Sequence, residues 1–441
     1  MKKFYIATFG CRTNQADSMA IRHDFFSQRF EEVRHCIQAD VVIVNSCTVT
    51  HRSDQQVRQL SRKLKRENPR ALLIVTGCYA QRSPDALTCI PEIDAVVGNS
   101  HKDKIVQIAT QSCNLPPTPP GRKEEPVVYR GEFSQLKVLN PIPAGGMQRR
   151  TRPFVKIQDG CDAKCSYCII PFVRGPSRSV SPDLVIEQVR KLIVAKYKEV
   201  VLTGIHLGTY GMHLRPRYSL VQLLTDIISL PDLVQVRLSS IEPMQLSRQI
   251  IAMAAECGKI APHFHICLQS GSDRILKKML RPYSVAKFAG IVEEIFNKVP
   301  NAAIGTDVIT GFPGETEEDH QQTLAFIEDM PFTYLHVFPY SDRAGTSASR
   351  MKGKIASKIQ KRRSLQLRQL SEKKNEAFRQ NFFGQRVSVL TLNEEKDGMR
   401  EGITGNYLKV RVPAVLPGNE VVTGVVTGED EEGRLLLRVV A

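Results

Sequence analysis

The sequence predicts an α/β protein of two or three domains, and three observations support this. Its 441 residues exceed the usual size of one domain. Six strand-like apolar runs alternate with helical periods between residues 153 and 350, which predicts an all-parallel sheet, either doubly wound or a partial barrel. Short apolar runs separated by glycines and charges after residue 384 predict a small antiparallel barrel.

Residues 1–113 form the first predicted α/β domain. The runs FYIATFGC, VVIVNSC and LLIVTGC alternate with helical candidates near 14–29 and 52–66. The proline-rich, charged segment that begins QSCNLPPTPPGRKEEP predicts a linker over 114–152. No apolar run is long enough to span a bilayer, and the apolar stretch in MKKFYIATFGC is too short for a signal peptide. We therefore expect a cytoplasmic protein.

The central domain is predicted over 153–384, including a basic connecting helix, and the C-terminal barrel over 385–441. The strand candidates of the central domain are FVKIQ, EVVLTG, VQVRLSS, HFHICLQ, AAIGTDVIT and TYLHVFPY. Helical periods lie between them, near 181–197, 219–229, 244–257, 272–298 and 316–329.

The composition narrows the function to a few classes. Sixty-one basic residues against 45 acidic ones give a net charge of +16, which favours an anionic partner, with nucleic acid first. A basic protein without a nucleic-acid role is the alternative. Eleven cysteines in a chain expected to be cytosolic indicate metal binding or catalysis, and argue against a disulfide framework.

The motif DGCDAKCSYCII contains what we call the central cysteine set, Cys161, Cys165 and Cys168. Thiolates suit iron–sulfur clusters or zinc, but a structural zinc site needs four ligands, and the next cysteine is Cys257. Three thiolates on a cubane cluster leave one iron open, and catalytic metal sites keep such a position. The spacing therefore predicts a reactive cluster; structural zinc or chance spacing is the alternative.

A second group, the N-terminal cysteine set, consists of Cys11, Cys47 and Cys78, each at the end of one apolar run. If those runs are neighbouring parallel strands, the three thiols emerge at one edge of the sheet and can bind one cluster together. The alternative is that each is a small buried hydrophobic residue. The remaining cysteines share no such placement and are interpreted as core or loop residues: Cys36, Cys89, Cys113, Cys257 and Cys267.

These motifs resemble those of the radical S-adenosylmethionine methylthiotransferases. The C-x3-C-x2-C spacing, with Tyr167 before the last cysteine, is similar to the signature of radical S-adenosylmethionine enzymes. The segments GCRTNQADS, NSCTVT and TGCYAQ resemble the family's N-terminal domain. HICLQSGSDRILKKMLRPYS, TDVITGFPGETEED and FPYSDRAGTSASRM resemble its central domain, and residues 385–441 resemble the RNA-binding TRAM domain. The resemblance covers essentially the whole chain and implies a partial (β/α)6 barrel at its centre.

The resemblance also implies the cofactors, two 4Fe-4S clusters and S-adenosylmethionine. The central cysteine set would hold the cluster that binds S-adenosylmethionine as a radical source. The N-terminal cysteine set would hold an auxiliary cluster that carries or delivers sulfur, and a second S-adenosylmethionine would supply the methyl group. The implied reaction converts C–H into C–S–CH3. Because the cofactors carry this chemistry, no catalytic side chain is assigned beyond the cluster ligands.

Residues at predicted strand ends are candidates for contacts with S-adenosylmethionine. Ser240, Glu242 and Gln269 lie in LSSIEP and LQSG, where the family's fold places its cofactor contacts. They could bind its ribose or methionine ends, or they could be turn and cap residues.

Two further motifs are interpreted conservatively. GFPGET, Gly311–Thr316, lacks the lysine of a P-loop and is expected to form a tight turn beside the adenine. His263, His265 and Cys267 share one strand face, where we prefer core packing to a metal site.

The resemblance implies methylthiolation of N6-threonylcarbamoyladenosine next to the tRNA anticodon, because the T-V-T after Cys47 is similar to that subtype. The alternatives are isopentenyladenosine in tRNA, an aspartate of a ribosomal protein, and an RNA-binding iron–sulfur protein without turnover. The expected partners are the tRNA anticodon stem-loop, an electron donor such as flavodoxin or ferredoxin, and a sulfur donor. We expect no membrane contact and a monomeric chain.

A basic track is expected to contact the RNA. Residues 350–386 contain twelve Lys or Arg against two Asp or Glu, which alone would indicate a solvated helix face. Beside an RNA-binding barrel they would neutralise phosphates. Residues that would extend this track are Arg58, Arg62, Lys63, Lys65 and Arg66.

Overall fold

The computed structural model describes residues 1–113, 126–133, 139 and 150–440, without the side chain of Cys113. Most of the predicted linker over 114–152 lies outside these residues. The chain forms two compact units. The first contains Met1–Met147, Gln158–Val180 and Ser341–Thr346, and the second contains Gln148–Ile157, Ser181–Tyr340 and Ser347–Ala441. Both cysteine sets therefore belong to the first unit.

The first unit is built on a wholly parallel six-stranded sheet in the order β2-β1-β3-β4-β5-β6. Its strands are β1 (Lys3–Thr8), β2 (Glu31–Glu32), β3 (Val41–Ser46), β4 (Leu72–Gly77), β5 (Ala95–Gly98) and β6 (Val127–Tyr129). Its helices are α1 (Arg12–Ser27), α2 (His51–Glu67), α3 (Cys78–Arg82), α4 (Pro84–Thr88) and α5 (Ile105–Cys113). The three expected strands and both expected helices are confirmed, whereas β2, β5 and β6 were not predicted.

The sheet is covered on both faces, which explains why β3 and β4 are apolar without alternation. Val42 and Val44 pack into one hydrophobic core, and Val41 and Ile43 pack into the other. Successive residues of one strand thus supply opposite faces, and every residue of β3 is buried.

Strand β7 (Phe154–Lys156) belongs to the second unit. After it the chain returns to the first unit, to which it contributes the segment that carries the central cysteine set. That segment contains β8 (Gln158–Asp159), α6 (Ile170–Arg174) and β9 (Arg178–Ser179). Because β8 and β9 pair antiparallel, the loop that carries the central cysteine set is closed at its base.

The second unit contains six parallel strands in chain order, as expected for a partial (β/α)6 barrel. They are β7, β10 (Glu199–Thr203), β11 (Gln235–Leu238), β12 (His263–His265), β13 (Ala303–Thr310) and β14 (Tyr334–Pro339). Bridges Val236–Ile260 and Ile241–Ile266 join β11 to the β12 segment. The helices are α7 (Pro182–Val194), α8 (Leu220–Ile228), α9 (Arg248–Glu256), α10 (Asp273–Lys278), α11 (Val285–Lys298) and α12 (Glu317–Asp329).

One helical prediction in this unit is wrong. The period over 272–298 forms two helices, α10 and α11, because Pro282 lies between them and cannot occupy a helix interior. Leu280 adopts a φ of 57° just before it, which ends the first helix.

The C-terminal segment contains α13 (Ser357–Gln380) and a closed five-stranded barrel in the order β15-β16-β17-β19-β18. Its strands are β15 (Arg386–Lys396), β16 (Met399–Thr404), β17 (Lys409–Pro413), β18 (Val421–Glu429) and β19 (Leu435–Val439). Pairing is antiparallel except between β17 and β19, which are parallel. The barrel is consistent with the TRAM domain that the resemblance implies.

Among the residues that the structure describes, no helix has the length and apolar character needed to cross a membrane.

A buried ion pair links the parallel strands of the second unit to the C-terminal barrel. The Arg237 side chain is completely buried, and its Nε and Nη2 lie 2.7 and 3.1 Å from the two carboxylate oxygens of Glu199. Its Nη1 donates to the carbonyl of Gly405 at 2.8 Å. The guanidinium thus satisfies groups on β10 and in the turn after β16.

Replacing Arg237 with Met should lower the free energy of unfolding of the second unit by about 3–5 kcal/mol, because Glu199 is left as a buried, poorly compensated charge. Denaturant unfolding of the cluster-free protein measures this change. In the double variant Arg237→Met, Glu199→Gln, much of the loss should be recovered. Equal losses in the single and double variants would contradict this explanation.

Candidate metal centres

The N-terminal cysteine set lies at the carboxyl edge of the first sheet. Cys11 caps α1 after β1, Cys47 follows β3, and Cys78 begins α3 directly after β4. Strands β1, β3 and β4 are adjacent and parallel, so the predicted placement of these three cysteines at one edge is confirmed. The strand order reverses direction between β1 and β3, and such switch points open the crevice in which doubly wound folds bind ligands.

The Cys47 side chain lies beside the turn that leads into Cys11. Gly10 has a φ of 92°, and a Cβ there would lie 2.8 Å from Cβ and 2.9 Å from Sγ of Cys47. Burial, with smaller contributions from Cys78 and Cys11, raises the pKa of the Cys47 thiol to about 12. Cys47 and Cys78 are buried, whereas Cys11 is exposed. Neighbouring thiols repel one another once they are deprotonated, and a bound cation relieves that repulsion. The donor set therefore fits a metal cluster.

Two polar side chains hold the three strand ends together. Nδ2 of Asn14 donates to the carbonyls of Phe9 at 2.8 Å and Ser46 at 2.9 Å, which precede Cys11 and Cys47 in the chain. Oγ of Ser46 accepts hydrogen bonds from the backbone of Tyr79 and Ala80, in the first turn after Cys78. Asn14 and Ser46 lie inside the quoted motifs, but nothing in a single sequence marks them as the residues that fix the geometry.

The central cysteine set lies in the irregular loop between β8 and α6. At the base of the loop, Gly160 has a φ of 76°, and a Cβ there would lie 1.9 Å from the carbonyl oxygen of Pro176. The backbone N–H of Cys161 donates to the carbonyl of Gly175 at 3.0 Å. The three cysteines are only partly buried, so an iron held by them can be reached by a further ligand.

A buried ionic cluster lies in the same unit and was missed by the sequence analysis. The Arg174 side chain is 1% exposed, and its Nη1 lies 2.9 Å from Oδ1 of Asp159. Its Nη2 lies 2.5 Å from Oδ1 of Asn14 and 3.0 Å from Oδ2 of Asp17. Lys102 also binds Asp17, with Nζ 2.6 Å from Oδ2. Charged side chains are ordinarily exposed, so their sequence pattern gives no signal for such a cluster.

Family models match two parts of the chain. Residues 3–98 match "Uncharacterized protein family UPF0004", and residues 155–327 match the "Radical SAM superfamily".

Curated relatives match nearly its full length. The threonylcarbamoyladenosine tRNA methylthiotransferase MtaB of Aquifex aeolicus (strain VF5) is 38% identical over 93% of this chain and 96% of the relative. A tRNA-2-methylthio-N(6)-dimethylallyladenosine synthase of Clostridium botulinum (strain Okra / Type B1) is 30% identical, with coverage of 92% and 90%.

The chain belongs to the radical S-adenosylmethionine methylthiotransferase family. It is an enzyme that transfers a methylthio group, and its cofactors are S-adenosylmethionine and two 4Fe-4S clusters. The fold is similar to a solved structure of the radical S-adenosylmethionine methyltransferase TsrM from Kitasatospora setae. The TM-score is 0.58 at 13% identity, covering 79% of this chain and 77% of that one.

The predicted S-adenosylmethionine contacts of this methylthiotransferase follow the carboxyl ends of β11 and β12. Ser240 is exposed, whereas the half-buried Glu242 forms an ion pair with Arg281. Gln269 is buried and adopts a φ of 71°, a conformation that is uncommon for a residue other than glycine. Their contact with S-adenosylmethionine stays a prediction.

The preference for core packing over a metal site at His263, His265 and Cys267 stays an interpretation. The imidazoles of His263 and His265 lie 2.8 and 3.0 Å from the Tyr334 hydroxyl. The three residues whose ligand atoms lie within 4.8 Å of one another are His265, Cys267 and Asp307. This group contains Asp307 in place of the predicted His263. Hydrogen bonds already account for this group: Asp307 accepts from His265 at 2.9 Å and from Cys267 at 3.4 Å.

GFPGET forms a turn that its own carboxylate closes. The backbone N–H of Gly311 donates to Glu315 at 2.6 Å, and Arg363 binds the same carboxylate at 2.6 Å. Thr316 then caps α12. A turn is confirmed, and its position beside an adenine stays a prediction.

The remaining cysteines are spread over the described residues. Cys36 and Cys267 are buried, Cys257 is half-buried and Cys89 is exposed, whereas the Cys113 side chain lies outside the described part.

The basic residues predicted to bind RNA fall into two groups. Some hold the fold: Arg363 binds Glu315, Arg379 binds Glu429, and Lys65 binds Asp94. Other cations of the predicted track are exposed: Lys352, Lys358, Lys361, Arg368, Lys373, Arg62, Lys63 and Arg66.

Replacing Asp307 with Asn should destabilise the second unit at neutral pH by about 1–3 kcal/mol. Burial alone would raise the pKa of Asp307, but hydrogen bonds from His265 and His336 outweigh it and hold the pKa below its usual value. Its stabilisation is therefore present above the unfolded pKa of about 3.9, and is lost as the pH falls through the lower folded value.

Denaturant unfolding at several pH values measures the difference between this variant and the unmodified protein, which should shrink below about pH 4. Glu256→Gln, at an exposed carboxylate, is the control and should change stability by less than about 0.5 kcal/mol. A pH-independent difference would show that the charge of Asp307 is not what stabilises the fold.

Proposed function

We propose that this methylthiotransferase converts N6-threonylcarbamoyladenosine next to the tRNA anticodon into its 2-methylthio derivative. The observation that carries the proposal is the 38% identity, over nearly the whole chain, to a relative named for that substrate. The T-V-T after Cys47 supports the same subtype. The relative named for dimethylallyladenosine is less similar, at 30% identity, and keeps isopentenyladenosine as the second candidate.

In this proposal the central cysteine set holds the cluster that binds S-adenosylmethionine, and the N-terminal cysteine set holds the auxiliary cluster. When bound there, these groups supply a carbon radical able to take hydrogen from an unactivated C–H bond, and the sulfur that replaces it. The partly buried central loop leaves room for a small ligand. At the second site Cys47 and Cys78 are buried whereas Cys11 is exposed, so this site can also be reached by a ligand.

Several surface cations support an RNA substrate. Exposed lysines and arginines along α13 lie on the segment that leads into the C-terminal barrel. Together with the net charge of +16, they would neutralise phosphates and make binding weaken as salt rises. We place the activity in the cytoplasm, with an electron donor such as flavodoxin or ferredoxin and a separate sulfur donor.

Mass spectrometry of tRNA nucleosides tests the substrate directly. In host cells that lack the gene, threonylcarbamoyladenosine should carry no methylthio group, and restoring the gene should add it. Methylthiolation of isopentenyladenosine instead would show that the proposed substrate is wrong and that the proposed type of reaction is right. Unchanged tRNA would contradict both, and a methylthio group on a ribosomal-protein aspartate would identify the remaining family substrate.

Alanine substitutions distinguish the two cysteine sets. Loss of the whole N-terminal set should remove about four irons per chain and abolish methylthiolation, while reductive cleavage of S-adenosylmethionine to 5′-deoxyadenosine persists. Loss of the central set should abolish 5′-deoxyadenosine formation. Anaerobic iron assays and product analysis by liquid chromatography measure both.

The exposed Cys89, outside both sets, provides the matched control, and Cys89→Ala should keep full iron content. If the variant without the N-terminal set kept all its iron and its methylthiolation, that assignment would be wrong. Complete absence of S-adenosylmethionine cleavage by the unmodified protein would favour the RNA-binding protein without turnover.

A further inference from the structure

We propose that Arg174 is a positioning residue that couples the two cysteine sets. Its guanidinium fixes the base of the central loop to the helix after Cys11, and its buried charge favours the reduced form of the cluster held by the N-terminal set. The inference rests on the proposed function, because it takes both sets as cluster ligands.

The contacts of Arg174 join the two sets through hydrogen bonds. Nη1 lies 2.9 and 3.0 Å from the two carboxylate oxygens of Asp159, two residues before Cys161. Nη2 binds Asn14 at 2.5 Å and Asp17 at 3.0 Å, both in the first two turns of α1. One planar group therefore spans both cysteine-bearing segments, and the geometry of its fork is rigid.

Asn14 transmits this position to the cysteines themselves. Its Nδ2 binds the carbonyls of Phe9 and Ser46, next to the ends of the strands that precede Cys11 and Cys47. A second link runs through Asn99, whose Nδ2 lies 2.7 Å from the carbonyl of Val173 and 3.5 Å from Sγ of Cys78. Moving the helix that carries Arg174 would therefore disturb the surroundings of all three thiols.

The charge of Arg174 is poorly screened because the group is buried. Its side chain is 1% exposed, and Asn14, which it binds at 2.5 Å, contacts the segments that carry Cys11 and Cys47. Reduction adds a negative charge to an iron–sulfur cluster, and a nearby buried cation stabilises that charge. Without Arg174, less positive charge would balance the carboxylates of Asp159 and Asp17, and their negative charge would oppose reduction of the cluster.

A redox titration followed by electron paramagnetic resonance tests the proposal in the full-length, cluster-loaded protein. Alanine at the three central cysteines isolates the signal of the N-terminal cluster, and every comparison is made in that background. Arg174→Met should shift the midpoint potential to more negative values, whereas Arg174→Lys should retain most of the unmodified value. Arg22→Met removes an α1 cation that binds Glu32 at 2.8 Å, and it should leave the potential unchanged.

Asp17→Asn keeps the size and shape of the side chain, and it carries the test if Arg174→Met fails to load clusters. This substitution removes a negative charge beside Arg174, so the midpoint potential should shift to more positive values. An unchanged potential in both variants, or shifts of the same sign, would overturn the proposal.

A second readout uses the chain with all six cysteines. Arg174→Met should lower the ratio of methylthio product to 5′-deoxyadenosine, and Arg174→Lys should restore it in part. A ratio equal to that of the unmodified protein would contradict the coupling. Failure of the cluster assignment is recognised separately, because the N-terminal cluster would then be absent from the unmodified protein. Failure of the proposed substrate is recognised from the tRNA nucleosides, whatever the potential of the cluster.

Discussion

The two hydrogen bonds from the Asn14 amide are the interaction on which the candidate site depends. Parallel neighbours end at one edge, so β1 and β3 bring Cys11 and Cys47 to the same side of the sheet. That placement alone fixes the edge but not the spacing of the thiols. The amide sets the spacing, because it holds the carbonyls of Phe9 and Ser46 to one side chain. The side chain of Asn14 thus holds together the segments that carry Cys11 and Cys47.

Burial affects both the protonation of these thiols and the strength of nearby charges. Burial, together with the neighbouring thiols, raises the pKa of Cys47 and favours its protonated form. Binding a cluster exchanges that proton for metal–sulfur bonds and removes the repulsion. The same poor solvation makes the Arg174 charge effective, because in water it would be screened. Burial therefore affects both the binding of metal by the thiols and the influence of the Arg174 charge on what is bound there.

The sequence could predict what depends on local pattern and spacing. The strands before Cys11, Cys47 and Cys78, the C-x3-C-x2-C loop and the six parallel strands of the second unit all have such patterns. It could not predict contacts that need tertiary register. His263, His265 and Cys267 share a face by strand periodicity, but Asp307 and Tyr334 reach them from β13 and β14. Arg174, Asp159 and Asp17 are indistinguishable in sequence from ordinary surface charges.

The division of the chain into units shows why the buried arginine matters. Both cysteine sets belong to the first unit, although β7 of the second unit separates them along the chain. The distance between the sets is therefore fixed within one compact body by contacts such as those of Arg174 and Asn99. In the proposed function, radical formation at one set and sulfur transfer at the other act on one carbon atom, and a fixed separation would serve both steps.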